Sequence, residues 1–403
     1  MISEPKRLPR NVWVLALVSF LTDVSSEMIS NLLPIFLSSV LGARTGVIGL
    51  IEGVAETTAS LLKMVSGRVS DQLGKRKALV VLGYALSTAA KPLLYFANAW
   101  GWVLGVRFAD RAGKGLRTAP RDALIADSVA ARQRGLAFGV QRAGDTAGAL
   151  VGISVALGIL LFRSEGGGLD RPLFQTIVLW SFVPAAAAVL ALALGAQERK
   201  PEDSKTVGAA LTLTGLPRTF QLYLVIIGFF TLGNSSDAFL ILRAQAAGLS
   251  VPGVLGMMIC FNLVYAALAG PAGALSDRVG RRRLLVAGWA VYVLVYLGFA
   301  LARSGWQAWV LMSVYGGYYA LTEGVARAFV ADLVPASLRG TAFGLFHAAV
   351  GLVTLPASLL AGILWQGVGP WRGLGPAAPF LAGGLLAGMA AILLMRLPVS
   401  RSD

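Results

Sequence analysis

The chain has 403 residues, of which 56% are hydrophobic and 14% are charged, and its mean hydropathy of +0.71 excludes a soluble globular protein. Its one cysteine, Cys260, excludes a disulfide framework and a thiolate metal cluster built within one chain. The formal net charge of +15 would favour a nucleic-acid partner in a soluble protein, so the positions of the charges decide its meaning.

Twelve stretches are long and apolar enough to cross a membrane as helices. A crossing helix needs about 20 apolar residues, because each residue adds ~1.5 Å of length. No small-residue cleavage site follows the first stretch, so we expect an uncleaved first helix rather than a signal peptide. The predicted helices cover, in chain order, residues 12–42, 46–66, 78–98, 102–127, 135–163, 174–195, 220–247, 252–275, 283–303, 306–331, 340–366 and 374–398.

The basic residues of the connectors predict the orientation. Connectors on the side of the N-terminus hold 20 Lys and Arg residues, and those on the other side hold five. Since positively charged loops stay in the cytoplasm, we expect a multi-pass protein of the bacterial inner membrane with both termini cytoplasmic. The excess charge then reflects topology and contact with anionic lipids of the bilayer, and no nucleic acid is expected as a partner.

The chain repeats itself at a separation of about 206 residues. We therefore predict an N-terminal half at residues 1–196, a cytoplasmic linker at residues 197–218 and a C-terminal half at residues 219–403, with six helices in each half. The matched segments of the two halves are 67–77 with 273–283, 127–135 with 332–340, and 25–27 with 235–237.

These features resemble the major facilitator superfamily of transporters over the whole chain. The loop signature G-x-x-x-D-x-x-G-R/K-R/K lies between the second and third helices, and a copy lies between the eighth and ninth. The resemblance implies an all-α membrane protein of twelve transmembrane helices in two pseudo-symmetric six-helix halves. It also implies a central cavity near the bilayer midplane, to which the halves alternate access by rocking.

Two other patterns of the family fit less well. On the fourth helix Arg107 matches the usual arginine, but Arg111 stands where a glycine usually follows. The fifth helix lacks the Gly-Pro pair of proton-coupled antiporters, since Ala149 occupies the proline position. The second departure weakens an assignment as a drug/proton antiporter.

The loop signature is predicted to act as a gate. Asp71 ends the second helix and can pair with Arg76 or cap a neighbouring helix, which would stabilise one of the two access states. The alternative is that the basic residues of this loop only fix the topology, although topology does not require the acid. The predicted gating residues are Gly67, Asp71, Gly74, Arg76, Arg107, Gly273, Asp277 and Gly280.

Leaving out those within two residues of a helix end, ten basic and nine acidic residues lie within the predicted helices. Each costs about 2.5–3.5 kcal/mol at the centre of a membrane helix, so we expect them to line a cavity or to pair. Six of them, from Arg107 to Arg121, recur at helical spacing and form a stripe on one face of the fourth helix. Acids of the first two helices, Asp145 or an anionic substrate can neutralise the positive surplus of this helix; the alternative is a structural ion network.

A carboxylate that changes its protonation state is the usual coupling device, and an arginine fork can hold a carboxylate or phosphate. Glu323 is the favoured coupling residue, unless Arg327 on the same helix holds it in a pair. The predicted substrate or coupling residues are Asp23, Glu27, Asp110, Lys114, Arg117, Arg142, Asp145, Asp237, Glu323 and Arg327.

Other chemistries have weaker signals. His347, the only histidine, is expected to be neutral and hydrogen-bonded to a neighbouring helix, with proton relay or substrate contact as the alternatives. One His and one Cys make a transition-metal site unexpected, although a carboxylate site at Glu52 and Glu56 stays open. The chain has no phosphate-binding glycine loop and no nucleophile with an attendant histidine, so we expect neither a cofactor nor enzymatic activity.

We therefore expect a secondary active transporter that moves a small polar or charged solute by alternating access. An organic anion is favoured because of the surplus on the fourth helix, with proton coupling, and efflux is slightly favoured over uptake. The first alternative is a multidrug or cation exporter that uses Asp23, Glu27, Glu52 and Glu56. A second is a membrane sensor on a transporter scaffold, which would bind without flux. The family resemblance makes a monomer the default.

Overall fold

The computed structural model describes residues 8–73, 75–129, 133–163, 168–198, 215–335 and 338–398. These residues form helices and one isolated β-bridge. The α-helices are α1 (Arg10–Ser30), α2 (Leu33–Ile35), α3 (Thr45–Leu73), α4 (Arg76–Ala90), α5 (Trp100–Ser128), α6 (Arg134–Arg163), α7 (Arg171–Gly195), α8 (Arg218–Gly233), α9 (Ala238–Ala246), α10 (Val251–Val279), α11 (Arg281–Leu301), α12 (Gly305–Leu333), α13 (Arg339–Gln366) and α14 (Ala378–Met395).

Several predicted helices are interrupted. The first consists of α1, α2 and a π-helical turn at Phe36–Val40, and the seventh consists of α8 and α9. The third, α4, continues as a 3₁₀ segment at Lys91–Phe96. Irregular backbone at membrane depth is tolerated where it lines a cavity, so the breaks in the first and seventh helices mark the place to look for a site.

Nine helical segments of the described residues are long and apolar enough to cross a membrane, by length and composition. Three further helices, α3, α5 and α12, have 29 residues each and carry charges that face the cavity described below. The bundle is an all-α membrane protein, and the count of twelve crossings stays a prediction. The predicted and observed bounds agree within a few residues, except that α3 continues from residue 66 to Leu73, through the first part of the loop signature.

Small residues bring neighbouring helices into close contact. A Cβ added to Gly144 of α6 would lie 2.7 Å from the carbonyl oxygen of Ala16 in α1. A Cβ added to Gly49 of α3 would clash with the carbonyl oxygen of Ser358 in α13. Successive contacts of this kind run parallel along α1 and α6 and antiparallel along α3 and α13. The second pair joins the two predicted halves.

The first and last residues that the structure describes lie at the same end of the bundle. Asn11, at the start of α1, donates from Nδ2 to the carbonyl oxygen of Gln197 at 2.9 Å, beyond the end of α7. Arg282, at the start of α11, donates to the carbonyl oxygen of Leu397 at 2.7 Å, beyond the end of α14. We call this the terminal end. The start of α13 also lies here, because α13 packs antiparallel to α3.

The two halves are in contact at the opposite end. The backbone N–H of Thr45, at the start of α3, donates to Oε1 of Gln366 at 2.7 Å, at the end of α13. The ring of Phe239 in α9 lies beside Gly49 of α3 and 6.1 Å from the ring of Trp365. Because both contacts link one half to the other, the bundle is closed at this end.

Candidate substrate site

A cavity of about 630 Å³ lies between the two halves. Pockets of this size suit small organic molecules. The predicted site residues Arg142 and Asp145, both on α6, lie outside its lining, and Asp145 accepts a hydrogen bond from Gln141 at 2.8 Å. The predicted site residues that line the cavity are Asp23, Glu27, Asp110, Lys114, Arg117, Asp237, Glu323 and Arg327.

The predicted fourth helix, with its charged stripe, is α5, and acids of α3 bind two bases of the stripe. Nη2 of Arg107 donates to both carboxylate oxygens of Glu52 at 2.8 and 2.7 Å, and the two side chains are only 7% and 8% exposed. Nε of Arg111 lies 3.5 Å from Oε1 of Glu56, and Asp110 lies 4.0 and 3.9 Å from the two guanidinium groups. The acids of α3 therefore neutralise much of the surplus of α5, and Arg107 lies in the cavity wall.

Two other lining bases are held by hydroxyl groups. Nη1 of Arg117 donates to Oγ of Ser87 at 2.6 Å, and its guanidinium lies 4.4 Å from the ring centroid of Tyr84. Nζ of Lys91 donates to the hydroxyls of residues 25 and 26 at 2.7 and 3.0 Å. Among the described carboxylates, none lies within 4.0 Å of either base. Sequence reasoning did not select Lys91, although a lysine in an apolar helix was a usable signal.

Lys114 differs from the other lining bases because its side chain has no polar partner among the described residues. Its side chain is exposed within the cavity. Within the described parts of the chain, its Nζ makes no hydrogen bond and no ion pair at 4.0 Å or less. The charges that act on it from farther away include Arg111, Glu56 and Asp23. A lysine inside a membrane bundle normally has a partner. Because the described residues give Lys114 none, its ammonium group is free to bind an anion that enters the cavity.

Two lining acids are held by neutral groups. Glu27 accepts a hydrogen bond from Nδ2 of Asn31 at 3.0 Å, at the break between α1 and α2. Asp237, in the break between α8 and α9, accepts hydrogen bonds from the hydroxyls of Tyr315 and Tyr319 at 2.9 and 3.3 Å. These two acids occupy matched positions of the sequence repeat; Glu27 lies in the last turn of α1, directly before its break, and Asp237 lies within the break of the seventh helix.

Asp23 lies one turn before Glu27 on α1 and lines the same cavity. Its carboxylate makes no ion pair within 4.0 Å and no hydrogen bond with the residues that the structure describes. Its charged neighbours are the acids Asp145 and Glu27 and the bases Lys114 and Arg117. Asp23 and Lys114 are thus an acid and a base that face one cavity without a direct contact.

Glu323 on α12 is bound by three donors. Arg327 donates to it at 2.8 Å from one turn farther along the helix, and the hydroxyl of Tyr265 donates at 2.5 Å. Arg142 of α6 reaches across from the other half at 3.0 Å. The side chains of Arg142 and Arg327 are 49% and 53% exposed. Since both residues lie in the parts of their helices nearest the terminal end, the cavity opens toward that end.

Two ion pairs at the terminal end join corresponding helices of the two halves, although the matched segments of the repeat align Arg76 with Arg282 rather than with Arg281. Arg76, at the start of α4, pairs with Asp127 near the end of α5 at 2.5 Å. Arg281, at the start of α11, pairs with Asp332 near the end of α12, also at 2.5 Å. The sequence repeat contains all four residues, but spacing alone pointed to Asp71 as the partner of Arg76. The side chain of Asp71 lies outside the described residues.

The glycines of the loop signature have different surroundings. Gly280 has a φ of 96°, a backbone conformation that favours glycine, and it separates α10 from α11. Gly67 lies within α3, where an added Cβ would be 3.3 Å from Ala119, whereas a Cβ at Gly273 would meet no atom within 4 Å. Gly74 and the side chain of Asp277 lie outside the described residues.

The structure also places the histidine and the candidate metal ligands. His347 lines the cavity with its ring centroid 5.4 Å from that of Phe346, and the described residues do not form the expected hydrogen bond to another helix. Glu52 and Glu56, for which a carboxylate metal site had stayed open, face arginines instead. No group of three or more His, Cys, Asp or Glu residues in the described ranges could hold a metal ion.

A helical membrane bundle with a charged cavity between two halves has the architecture of a membrane transporter. The family model of the Major Facilitator Superfamily matches residues 15–259 and 224–403. The chain therefore belongs to this superfamily.

Its relatives include an MFS-type transporter of Methanocaldococcus jannaschii, which is 37% identical over 97% of this chain and 95% of the relative. A multi-drug resistance efflux pump of Streptococcus pneumoniae is 26% identical over 79% of each chain. Among solved structures, a D-xylose–proton symporter has a TM-score of 0.79 at 16% identity, over 98% of this chain and 99% of the symporter. The last likeness shows the fold alone.

Proposed function

We propose that this chain is a secondary active transporter that moves a small organic anion by alternating access, coupled to protons. The observation that carries the proposal is Lys114, a lysine exposed in the central cavity without a hydrogen bond or ion pair among the described residues. Arg107 and Arg111 of the same helix face acids of α3, so they are less available to a ligand. Lys91 and Arg117 contribute further positive charge to the cavity, and no carboxylate of the described residues is in contact with either of them.

Transport in proteoliposomes tests the anion. We expect uptake of labelled benzoate to fall at least tenfold in Lys114→Met, because a hydrogen bond to a charged group contributes about 1.5–3 kcal/mol. Lys63→Met is the matched control, since Lys63 is a partly buried lysine of the same half outside the cavity lining. The cation tetraphenylphosphonium is the opposing probe. If the wild type carries no benzoate, and the wild type and both variants carry tetraphenylphosphonium, the anion proposal is refuted.

Proton coupling is proposed for Asp23. A carboxylate without a basic partner is suited to carry a proton through the membrane. Glu323, the residue favoured from the sequence, is bound by Arg142, Arg327 and Tyr265, so we propose a bridging role for it instead. When a proton neutralises Asp23, that carboxylate no longer offsets the positive charge of Lys114, and an anion can bind there more tightly. The proton and the anion would therefore bind together.

Exchange and net transport separate this role from a structural one. In Asp23→Asn the neutral side chain cannot release a proton. We therefore expect the variant to lose benzoate accumulation driven by a pH gradient and to keep benzoate exchange across the membrane. Asp237→Asn is the comparison, because tyrosine hydroxyls already hold that carboxylate. Loss of both activities in Asp23→Asn, with the folded protein intact, would show that Asp23 has another role.

Two lines of reasoning favour opposite directions of transport. Efflux is favoured from the sequence, and one relative is named an efflux pump. Joint binding of a proton and an anion would instead move both in the same direction, so that an inward proton gradient drives uptake. Benzoate accumulation in vesicles of known orientation, under an imposed gradient, distinguishes efflux by exchange from cotransport.

A multidrug or cation exporter is the second candidate. It is supported by Asp23, Glu27 and Asp237, which line the cavity and have no basic group within 4.0 Å among the described residues. Glu52 and Glu56, which this alternative also used, face arginines and are less available to a cation. Tetraphenylphosphonium flux that requires Glu27 and Asp237 would favour this candidate.

We further propose that the terminal end faces the cytoplasm of a cell whose inner membrane holds the chain as a monomer. The excess of basic connectors at this end supports the orientation. In that orientation the cavity is open to the inside. Residues 199–214 of the proposed linker between the halves lie outside the described residues. A fluorescent reporter fused to the C-terminus tests the orientation, since it should fold and emit only if the C-terminus is cytoplasmic.

A further inference from the structure

The two halves contribute different chemistry to the cavity wall. The first half supplies five of the six lining bases and five of the seven lining acids. The second half supplies every aromatic side chain in the lining. The described residues of the first half that line the cavity include no Phe, Tyr, Trp or His. The aromatic residues of the second half that line the cavity are Phe230, Phe261, Trp289, Tyr318, Tyr319, Phe346 and His347.

Five of these residues, Phe230, Phe261, Trp289, Tyr318 and Tyr319, form a continuous surface, in which the ring centroids of Phe230 and Tyr318 are 6.2 Å apart. The rings of Phe230 and Trp289 are stacked with centroids 4.4 Å apart. The rings of Phe261 and Tyr319 meet edge to face at 5.3 Å, and Tyr318 lies edge to face with Tyr319 at the same distance. Contacts of this kind fix the orientation of each ring. The second half therefore presents a preformed apolar surface rather than a flexible one.

The hydroxyl groups on the Tyr319 side of this surface are already engaged. The hydroxyl of Tyr319 donates to Asp237 at 3.3 Å, and Tyr315 behind it donates to the same carboxylate at 2.9 Å. Because Phe261 has no polar side-chain atom and the hydroxyl of Tyr319 is occupied, these two rings offer a ligand mainly ring surface. The opposite wall offers Lys114, a cation without a hydrogen bond or ion pair among the described residues. A ligand that satisfies both walls needs an anionic group at one end and a flat apolar body at the other.

We propose that the substrate is an aromatic organic anion that lies across the cavity, with its anionic group at Lys114 and its ring against Phe261 and Tyr319. This inference rests on the proposed transport of an organic anion and adds the substrate class and its orientation. A cavity of about 630 Å³ accommodates one or two fused rings with a carboxylate. The orientation places the charge on the half that also holds Asp23.

Calorimetric titration of the purified full chain in detergent tests this class. The probes are 2-naphthoate, butyrate and 2-naphthamide, which separate the ring from the charge. We expect the wild type to bind 2-naphthoate at least tenfold more tightly than either of the other two. Lys114→Met should weaken 2-naphthoate at least tenfold and leave 2-naphthamide unchanged, and Lys63→Met should change neither.

Ring variants test the orientation. Phe261→Leu should weaken 2-naphthoate about three- to tenfold, because an aromatic pair contributes about 0.5–1.5 kcal/mol, and should not change butyrate binding. Phe108→Leu is the control, since Phe108 is exposed and lies outside the cavity lining. If Phe261→Leu does not fold, Tyr319→Leu should show the same loss, and Tyr319→Phe should keep the affinity.

The outcomes separate this inference from the proposed function. If Lys114→Met weakens butyrate and 2-naphthoate equally and the ring variants change nothing, anion transport stands and the aromatic class is overturned. If 2-naphthamide binds the wild type as tightly as 2-naphthoate does, the anion is not recognised and both proposals are overturned. Binding of 2-naphthoate that depends on Lys114 and on Phe261 or Tyr319 supports both.

Discussion

Replacing Glu52 by Gln should destabilise the protein strongly, because it leaves the guanidinium of Arg107 buried without its counter-charge. The two side chains are 8% and 7% exposed and meet at 2.7 Å. Opposite charges about 4 Å apart interact by about 4 kcal/mol at an effective dielectric constant of 20. Loss of one partner of a buried pair typically costs about 3–5 kcal/mol, which agrees with that figure. We therefore expect Glu52→Gln to lower the free energy of unfolding by about 3–5 kcal/mol.

Glu56→Gln is the matched control on the same helix. Glu56 is 41% exposed and lies 3.5 Å from Arg111, so water already screens this pair, and we expect a loss of about 1 kcal/mol or less. Adding Arg107→Met to Glu52→Gln should restore much of the lost stability, because no buried charge is then left unpaired. The free energies come from denaturant titrations of the protein in micelles. Equal losses in Glu52→Gln and Glu56→Gln, or a double variant less stable than Glu52→Gln alone, would refute the reasoning.

Three further changes follow from the packing and the ion pairs. Gly49→Ala should destabilise the bundle by about 1–3 kcal/mol, because the added methyl group of one half clashes with α13 of the other. Gly46→Ala is the control: its added methyl group would meet no atom within 4 Å, so its stability in the same titration should stay within about 0.5 kcal/mol of the wild type. Asp332→Asn should lower the free energy of unfolding by about 0.2–1 kcal/mol, because its carboxylate is 52% exposed and water screens the ion pair. Asp127→Asn should lower it by about 2 kcal/mol or more, because that carboxylate is only 21% exposed, and equal losses in the two variants would contradict this reasoning. Arg142→Gln should shift the ratio of the two access states by about one-and-a-half- to fivefold, because it removes the partly exposed ion pair with Glu323. The measurement is the distribution of distances between spin labels on α6 and α12 in a cysteine-free background. An unchanged distribution would show that this ion pair does not hold the halves together.

The helices could be predicted because membrane spans leave long apolar runs in the sequence. The end of the second helix could not, because hydrogen bonding continues after the apolar residues stop, and α3 extends to Leu73. Membership of the superfamily was also readable, from the repeat and the loop signature, and the family model confirms it.

The partners inside the cavity were harder to predict. Helical spacing placed Arg107 and Arg111 on one face but could not say which acids meet them, because neighbours on another helix have no fixed spacing in the chain. Glu52 and Glu56 entered only as ligands of a cation or metal, and the structure pairs them with these arginines. Lys91 has serine hydroxyls as partners, so counting charges did not reveal it.

The division of the ion pairs between the halves has a kinetic consequence. The pairs of Arg107 and Arg111 join α3 to α5 within one half, so in the proposed alternating access each pair can move as part of one rigid body. Among the described residues, the ion pair that joins the halves is that of Arg142 and Glu323, and water reaches it. A strong interaction that never breaks adds nothing to an activation barrier. The charged interior can therefore be held firmly without slowing the turnover of the transporter.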